Sequence, residues 1–192
     1  MSYKYDAFFS YKRDPHSDEW HEKVKDKLQY WIGHELMRND VRIFFDTEDI
    51  TTGARWKNKL SDALLHSKCI ITILSPLYFQ SKWCVSEWKT FIERERADGN
   101  ELIVPASFHD GKHFPVEAKE RQIVDFSNYT SITPSFWETK TAAEFDMDML
   151  KVFAKDVART IDGAPPFKNF PLVEAEDSQV SRGMNIGRIA DI

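Results

Sequence analysis

The sequence predicts an α/β fold: a single doubly wound domain, with helices on both faces of a five-stranded parallel sheet. Three observations carry this. Apolar runs of strand length alternate with stretches that repeat apolar residues at helical spacing. A strand–helix–strand order favours parallel pairing through right-handed crossovers. The first runs are apolar nearly throughout, as strands covered on both faces are.

Tyr5–Phe9 reads as the first strand. Trp20, Val24, Leu28, Trp31, Ile32 and Leu36 then keep helical spacing, so a long helix follows. Val41–Phe45 is the second strand. The helix after it presents Trp56, Leu60, Ala63 and Leu64 to the core. Cys69–Leu74 is the third strand, and the third helix packs through Cys84, Trp88, Phe91 and Ile92. Leu102–Ala106 is the fourth strand. Phe108–Lys119 holds two His, a Gly and a Pro, which is loop chemistry with room for a short helix at most. Ile123–Phe126 is the fifth strand, and Phe145, Met149, Val152, Phe153 and Val157 form the apolar face of a last helix. Asp162-Gly163-Ala164-Pro165-Pro166 stops that helix, so the domain is expected to cover 1–161. Residues 162–192 form a tail without sustained periodicity. Its Met184, Ile186, Ile189 and Ile192 suit docking on this domain or a partner, a loosely held terminus being the simpler reading.

Composition narrows the function. Of 192 residues, 42% are apolar and 14% aromatic, enough for a packed core and unlike a disordered chain. Two cysteines, Cys69 and Cys84, cannot build a disulfide framework. A formal charge of −5 gives no electrostatic reason to bind nucleic acid. No apolar run reaches the ~20 residues that span a bilayer, and the start, Met1-Ser2-Tyr3-Lys4-Tyr5-Asp6, is not a signal peptide. The expected setting is cytoplasmic, away from membranes.

Open parallel sheets bind ligands beyond the carboxyl ends of their strands, at the point where strand order reverses. With the flavodoxin-like order 2-1-3-4-5, that point lies between strands one and three. The segments to weigh are Ser10-Tyr11-Lys12-Arg13, the stretch from Asp46 to Gly53, and Ser75-Pro76 leading into Ser81–Trp88. Trp83 and Glu87 stand four apart and share a helix face, rotated about 100° from the core-facing one. The plainer reading is an exposed indole beside a solvated carboxylate. No metal is expected: Asp46, Glu48 and Asp49 suit a capped loop, and His109 and His113 flank a Gly with no further ligands nearby. A phosphoacceptor receiver is excluded, because Ser10-Tyr11, Ser75 and Ser127 stand where acidic residues and a Lys would be needed.

Three blocks, in this order and spacing, resemble the TIR (Toll/interleukin-1 receptor) domain family over roughly residues 3–160. They are Tyr5-Asp6-Ala7-Phe8-Phe9-Ser10-Tyr11, then Phe45-Asp46-Thr47-Glu48-Asp49-Ile50-Thr51-Thr52-Gly53, then Ser75-Pro76 followed by Ser81-Lys82-Trp83-Cys84-Val85-Ser86-Glu87. The last block is similar to that of the NAD-cleaving members. The resemblance implies a catalytic Glu87 with Trp83 beside the ligand, and Ser10, Tyr11, Lys12, Arg13, Asp46 and Thr51 as further ligand contacts. It implies that NAD+ is the substrate and that no cofactor is needed. The products would be nicotinamide and ADP-ribose or a cyclic isomer. It also implies activation by self-association or by another TIR-containing or regulatory chain, helped by the loop at Asp46–Gly53, in immune signalling such as anti-phage defence or cell death. A non-catalytic TIR scaffold is the competing expectation, and a nucleoside N-glycosidase is a chemical neighbour. The chemistry suits these residues. Nicotinamide leaves a pyridinium as a neutral molecule, so no general acid is required. One carboxylate can hold the ribose hydroxyls and stabilise oxocarbenium-like charge. An indole offers a face to the flat ring, and Lys12 and Arg13 suit a pyrophosphate.

Overall fold

A computed structural model describes residues 2–46 and 54–175, the side chains of residues 54–56 excepted. The first strand, β1 (Tyr5–Tyr11), alternates its side chains between two cores. Ala7, Phe9 and Tyr11 enter one, and Phe8 enters the other. The same period-two split runs through β3 (Ser67–Leu74), whose Cys69, Ile71 and Ile73 oppose Ile70 and Leu74. The remaining strands are β2 (Ile43–Phe44), β4 (Ile103–Ser107) and β5 (Val124–Asp125). All pairings are parallel and the order is β2-β1-β3-β4-β5, as the sequence predicts.

Helices cover both faces. On one lie α1 (Asp18–Glu35) and α6 (Lys151–Asp162), which α5 (Lys140–Glu144) reaches through a π-helical turn at Phe145–Leu150. On the other lie α2 (Ala54–Leu65), α3 (Lys82–Asp98) and the short α4 (Val116–Lys119). Among the described residues, no helix is long and apolar enough to cross a membrane.

Several details depart from the sequence reading. The first strand runs two residues further, so Ser10 and Tyr11 end β1 and do not follow it. The apolar runs at Val41–Phe45 and Ile123–Phe126 each yield only a two-residue strand. β5 pairs with Ala106 and Ser107 alone, which leaves Pro105 of β4 facing no further strand on that side, where its missing N–H costs nothing. Val152, expected on the apolar face of α6, is exposed, because Phe153, Ala154, Val157 and Ala158 fill that face. The side chain of Trp56 lies outside the described residues. Residues 164–175 dock on their own domain.

That docked stretch runs antiparallel to α3 as a strap. Tyr3 donates its hydroxyl to Pro165 O (3.0 Å), and Lys168 pairs with Asp98 (2.5 Å). Phe170 lies over the Arg94 guanidinium, 5.7 Å from ring centre to Cζ. The strap amides of Val173 and Ala175 donate to Thr90 Oγ1 (3.0 Å) and Ser86 Oγ (2.9 Å). Those hydroxyls in turn donate to carbonyls one turn back in α3.

The end of α1 supports a stability prediction. Arg38 N donates to Gly33 O (3.0 Å) and Met37 N to His34 O (3.3 Å), the paired bonds of a Schellman turn. Its left-handed position holds Met37, with φ 53°, where Gly carries no steric penalty. Met37 is 92% exposed, so no packing is lost on removing it. Met37→Gly is therefore expected to stabilise the fold by about 0.5–1 kcal/mol, read as a higher midpoint in urea.

Candidate active site

Ser10 sits on the α3 side of β1, and its register partner on β3 is Thr72. The helix opposite is capped by Ser81, whose Oγ accepts from Cys84 N (3.4 Å). About a turn and a half in, Glu87 points at the sheet. It is 6% exposed, and its Oε2 accepts a hydrogen bond from Ser10 Oγ at 2.5 Å. The Ser10 oxygen also lies 2.7 Å from the Tyr78 hydroxyl, which belongs to the 3-10 turn at Tyr78–Gln80. With Ser10 donating to the carboxylate, Tyr78 donates to Ser10. The result is a buried chain Tyr78–Ser10–Glu87.

Ser10 and Glu87 line a pocket of about 150 Å³ at the carboxyl edge of β1. The wall includes Tyr11, Lys12, Arg13, Asp46, Trp83 and Cys84. Trp83 is partly buried, with Lys57 Nζ 5.8 Å from its ring centre. Arg13 and Asp46 form an ion pair at 3.6 Å, and the Tyr11 hydroxyl donates to Asp46 O at 3.4 Å. Seven of the eight residues proposed from sequence are thus brought to one cavity. The eighth, Thr51, lies outside the described residues.

The electrostatics follow from the burial. Loss of water raises the Glu87 pKa from 4.5 to about 8; the Ser10 hydrogen bond opposes this, and the charge of Asp46 adds to it. A solvated acid would show neither effect, so the plainer reading of the Trp83–Glu87 pair does not hold for its carboxylate. Burial also pushes the Cys84 thiol well above its ordinary value, and its Sγ donates to Tyr11 O (3.5 Å). It is a packing residue and no nucleophile.

Tyr78 was not anticipated. In the sequence it is one more aromatic between a Pro and a helix cap, and nothing local says where its hydroxyl goes. His21 was also missed. It is 3% exposed and packs in a column of rings, 4.3 Å from Tyr11 and 5.2 Å from Phe108 between centroids.

Two solved structures and one sequence family are similar to this chain. Among solved structures, the TIR domain of the Toll-related receptor TRR-2 from the lower metazoan Hydra magnipapillata aligns with a TM-score of 0.46 at 21% identity, over 70% of this chain and 94% of that one. The TIR domains of the activated Roq1 resistosome, which directly recognizes the pathogen effector XopQ, align with a TM-score of 0.42 at 14% identity, over 84% and 86%. The sequence model of the TIR domain matches residues 8–138, more than half of the chain. The chain therefore belongs to the TIR domain family.

Proposed function

We propose that this TIR domain cleaves the nicotinamide–ribose bond of NAD+, releasing nicotinamide and ADP-ribose or a cyclic isomer. The observation that carries the reading is Glu87: a buried carboxyl, held by Ser10 on the wall of a cavity it shares with Trp83. In the reaction the C1′–N bond breaks and its electron pair goes to the pyridinium nitrogen. Nicotinamide departs neutral, and water or an internal adenine nitrogen takes its place at C1′. The Glu87 carboxylate stabilises the positive charge that develops on the ribose. Trp83 gives the nicotinamide ring a face, and Lys12 and Arg13 meet the pyrophosphate.

The cavity is smaller than the roughly 300–1,000 Å³ usual for small-molecule sites. At about 150 Å³ it suits one ring and part of a ribose. This supports a site completed by self-association; the immune or cell-death signalling role proposed with it rests on the resemblance to the NAD-cleaving members of the family. The small cavity is also the observation that favours the competing reading, a scaffold that only assembles with other TIR domains. Purified protein incubated with NAD+ over a wide range of chain concentrations separates the two. Nicotinamide detected by mass spectrometry, rising more steeply than in proportion to protein, supports the enzyme. No nicotinamide at any concentration leaves the scaffold.

The ionisation of Glu87 sets the pH dependence. The carboxylate is the working form, and the free site holds it protonated up to about pH 8. Below that value kcat/KM is expected to rise about tenfold per pH unit. A bound pyridinium cation favours the ionised carboxyl, so the midpoint in kcat is expected below that in kcat/KM. Equal midpoints, or flat profiles, would count against this role.

A further inference from the structure

On the α1 side of β1, across the strand from the Glu87 pocket, lies a second cavity of about 300 Å³. Lys12 lines both. The ring column also joins them: Tyr11 belongs to the first wall, His21 and Phe108 to the second. Pro76, Leu77 and Ile73 add apolar surface, and Ser17 and Ser75 add hydroxyls. Asp14 stands at the wall with its carboxylate already accepting from His16 N (2.9 Å).

His21 makes this cavity selective. Its Nδ1 lies 2.7 Å from Ser17 O. Burial lowers its pKa to about 4, so the ring is neutral. A carbonyl only accepts, so Nδ1 carries the hydrogen and Nε2 is left as a lone-pair acceptor. Among the described residues, Nε2 has no hydrogen-bond partner. The atom is not sealed from solvent, so an acceptor opening on this cavity takes its donor from water or from a ligand group that replaces that water.

Resting on the NAD+ reading above, we infer that this second cavity takes the adenine ring of the dinucleotide, with its amino group donating to His21 Nε2 and Lys12 meeting the pyrophosphate between the two cavities. Adenine fits the donor requirement, and its flat faces suit a slot between Phe108 and the Pro76–Leu77 edge. Nicotinamide riboside remains on the Glu87 side. The ligand straddles the tip of β1, the place where the order of the sheet reverses.

The test compares NAD+ with nicotinamide mononucleotide, which has the scissile bond and no adenine. His21→Phe keeps an aromatic ring and removes the acceptor. Leu77→Trp, at a half-exposed position, fills the cavity from outside and does not disturb the core. Both are expected to raise KM for NAD+ about tenfold while leaving mononucleotide cleavage within twofold of the unchanged protein. Equal losses on both substrates, or none on NAD+, would overturn the assignment. Should His21→Phe fail to fold, Leu77→Trp alone decides. If the unchanged protein cleaves neither substrate, the NAD+ reading fails separately, and AMP titrated against the His21 ring-nitrogen NMR signals still decides the site. A saturable shift at Nε2 supports it, and its absence rejects it.

Discussion

Glu87→Gln is expected to lower nicotinamide release by at least about 10²–10³-fold while the protein stays folded. The substitution keeps the size of the side chain, and its amide oxygen can still accept from Ser10 in place of Oε2. What it removes is the negative charge that would face the ribose at C1′. Binding of nicotinamide mononucleotide, followed by tryptophan fluorescence, is expected to weaken far less than turnover. The variant also has a thermodynamic signature. The folded pKa of Glu87 lies above its ordinary value, so the folded chain binds a proton that the unfolded chain has lost. The stability this gives is present in full below about pH 4.5 and fades as pH rises through about 8. Glu87→Gln lacks that loss, so its melting temperature relative to the parent is expected to climb between pH 5 and pH 9. Unchanged activity would end the catalytic proposal; an unchanged pH slope would mean that the carboxyl is not held protonated in the fold.

The second large effect concerns Asp6 and is one of stability. Asp6 is 5% exposed near the start of β1. Its Oδ1 accepts from Arg38 (2.5 Å) and Lys68 (3.0 Å), and its Oδ2 from Arg42 N (3.0 Å). Burial by itself would raise its pKa, but these bonds together hold it below the ordinary value. One carboxylate thus ties together the chain entering β2, the end of α1 and the start of β3. Asp6→Ala strands two cations and an amide and is expected to cost about 2–3 kcal/mol. That is below the 3–5 kcal/mol of a fully buried pair, because Arg38 and Lys68 are each about a third exposed. The depressed pKa contributes stability that is present above the ordinary carboxyl value and lost as pH falls through the folded one. Asp6→Asn, which keeps the shape, is expected to flatten the acid limb of the stability curve. Urea unfolding at pH 7 and pH 3 measures both effects.

Much of the fold is legible in the residue pattern because burial leaves a periodic trace. The split of β1 into Ala7, Phe9 and Tyr11 against Phe8 is a strand between two cores, and the spacing of Trp20 to Ile32 is a helix with one wet side. What the pattern does not carry is hydrogen-bond pairing. Val41–Phe45 and Ile123–Phe126 are apolar because they are covered, yet only two residues of each find a ladder partner. The Trp83–Glu87 pair was readable from its four-residue spacing on a helix at the right strand edge. Tyr78 and His21 were not: the Tyr78 hydroxyl is directed by Ser10, far away in sequence, and the His21 ring, though tied locally to Ser17 O, is buried by the rings of Tyr11 and Phe108 on other elements. The strap was hidden for a related reason. Its contacts alternate between side chains and backbone amides, which leaves no apolar rhythm to detect.

That strap changes where the cooperative unit ends. Arg94 is buried, with a lowered pKa from lost hydration, and among the described residues no carboxylate touches its guanidinium; its bonds go to Ser67 O and the Tyr3 hydroxyl. Phe170 closes over it. A protease cut just after Ile161 would open that cation to water and strip the row of Ser86, Thr90 and Arg94 on α3, the helix that also bears Glu87. Residues up to about 175 therefore belong to the folded unit through hydrogen bonds and partly buried side chains, although they contain no regular element at all.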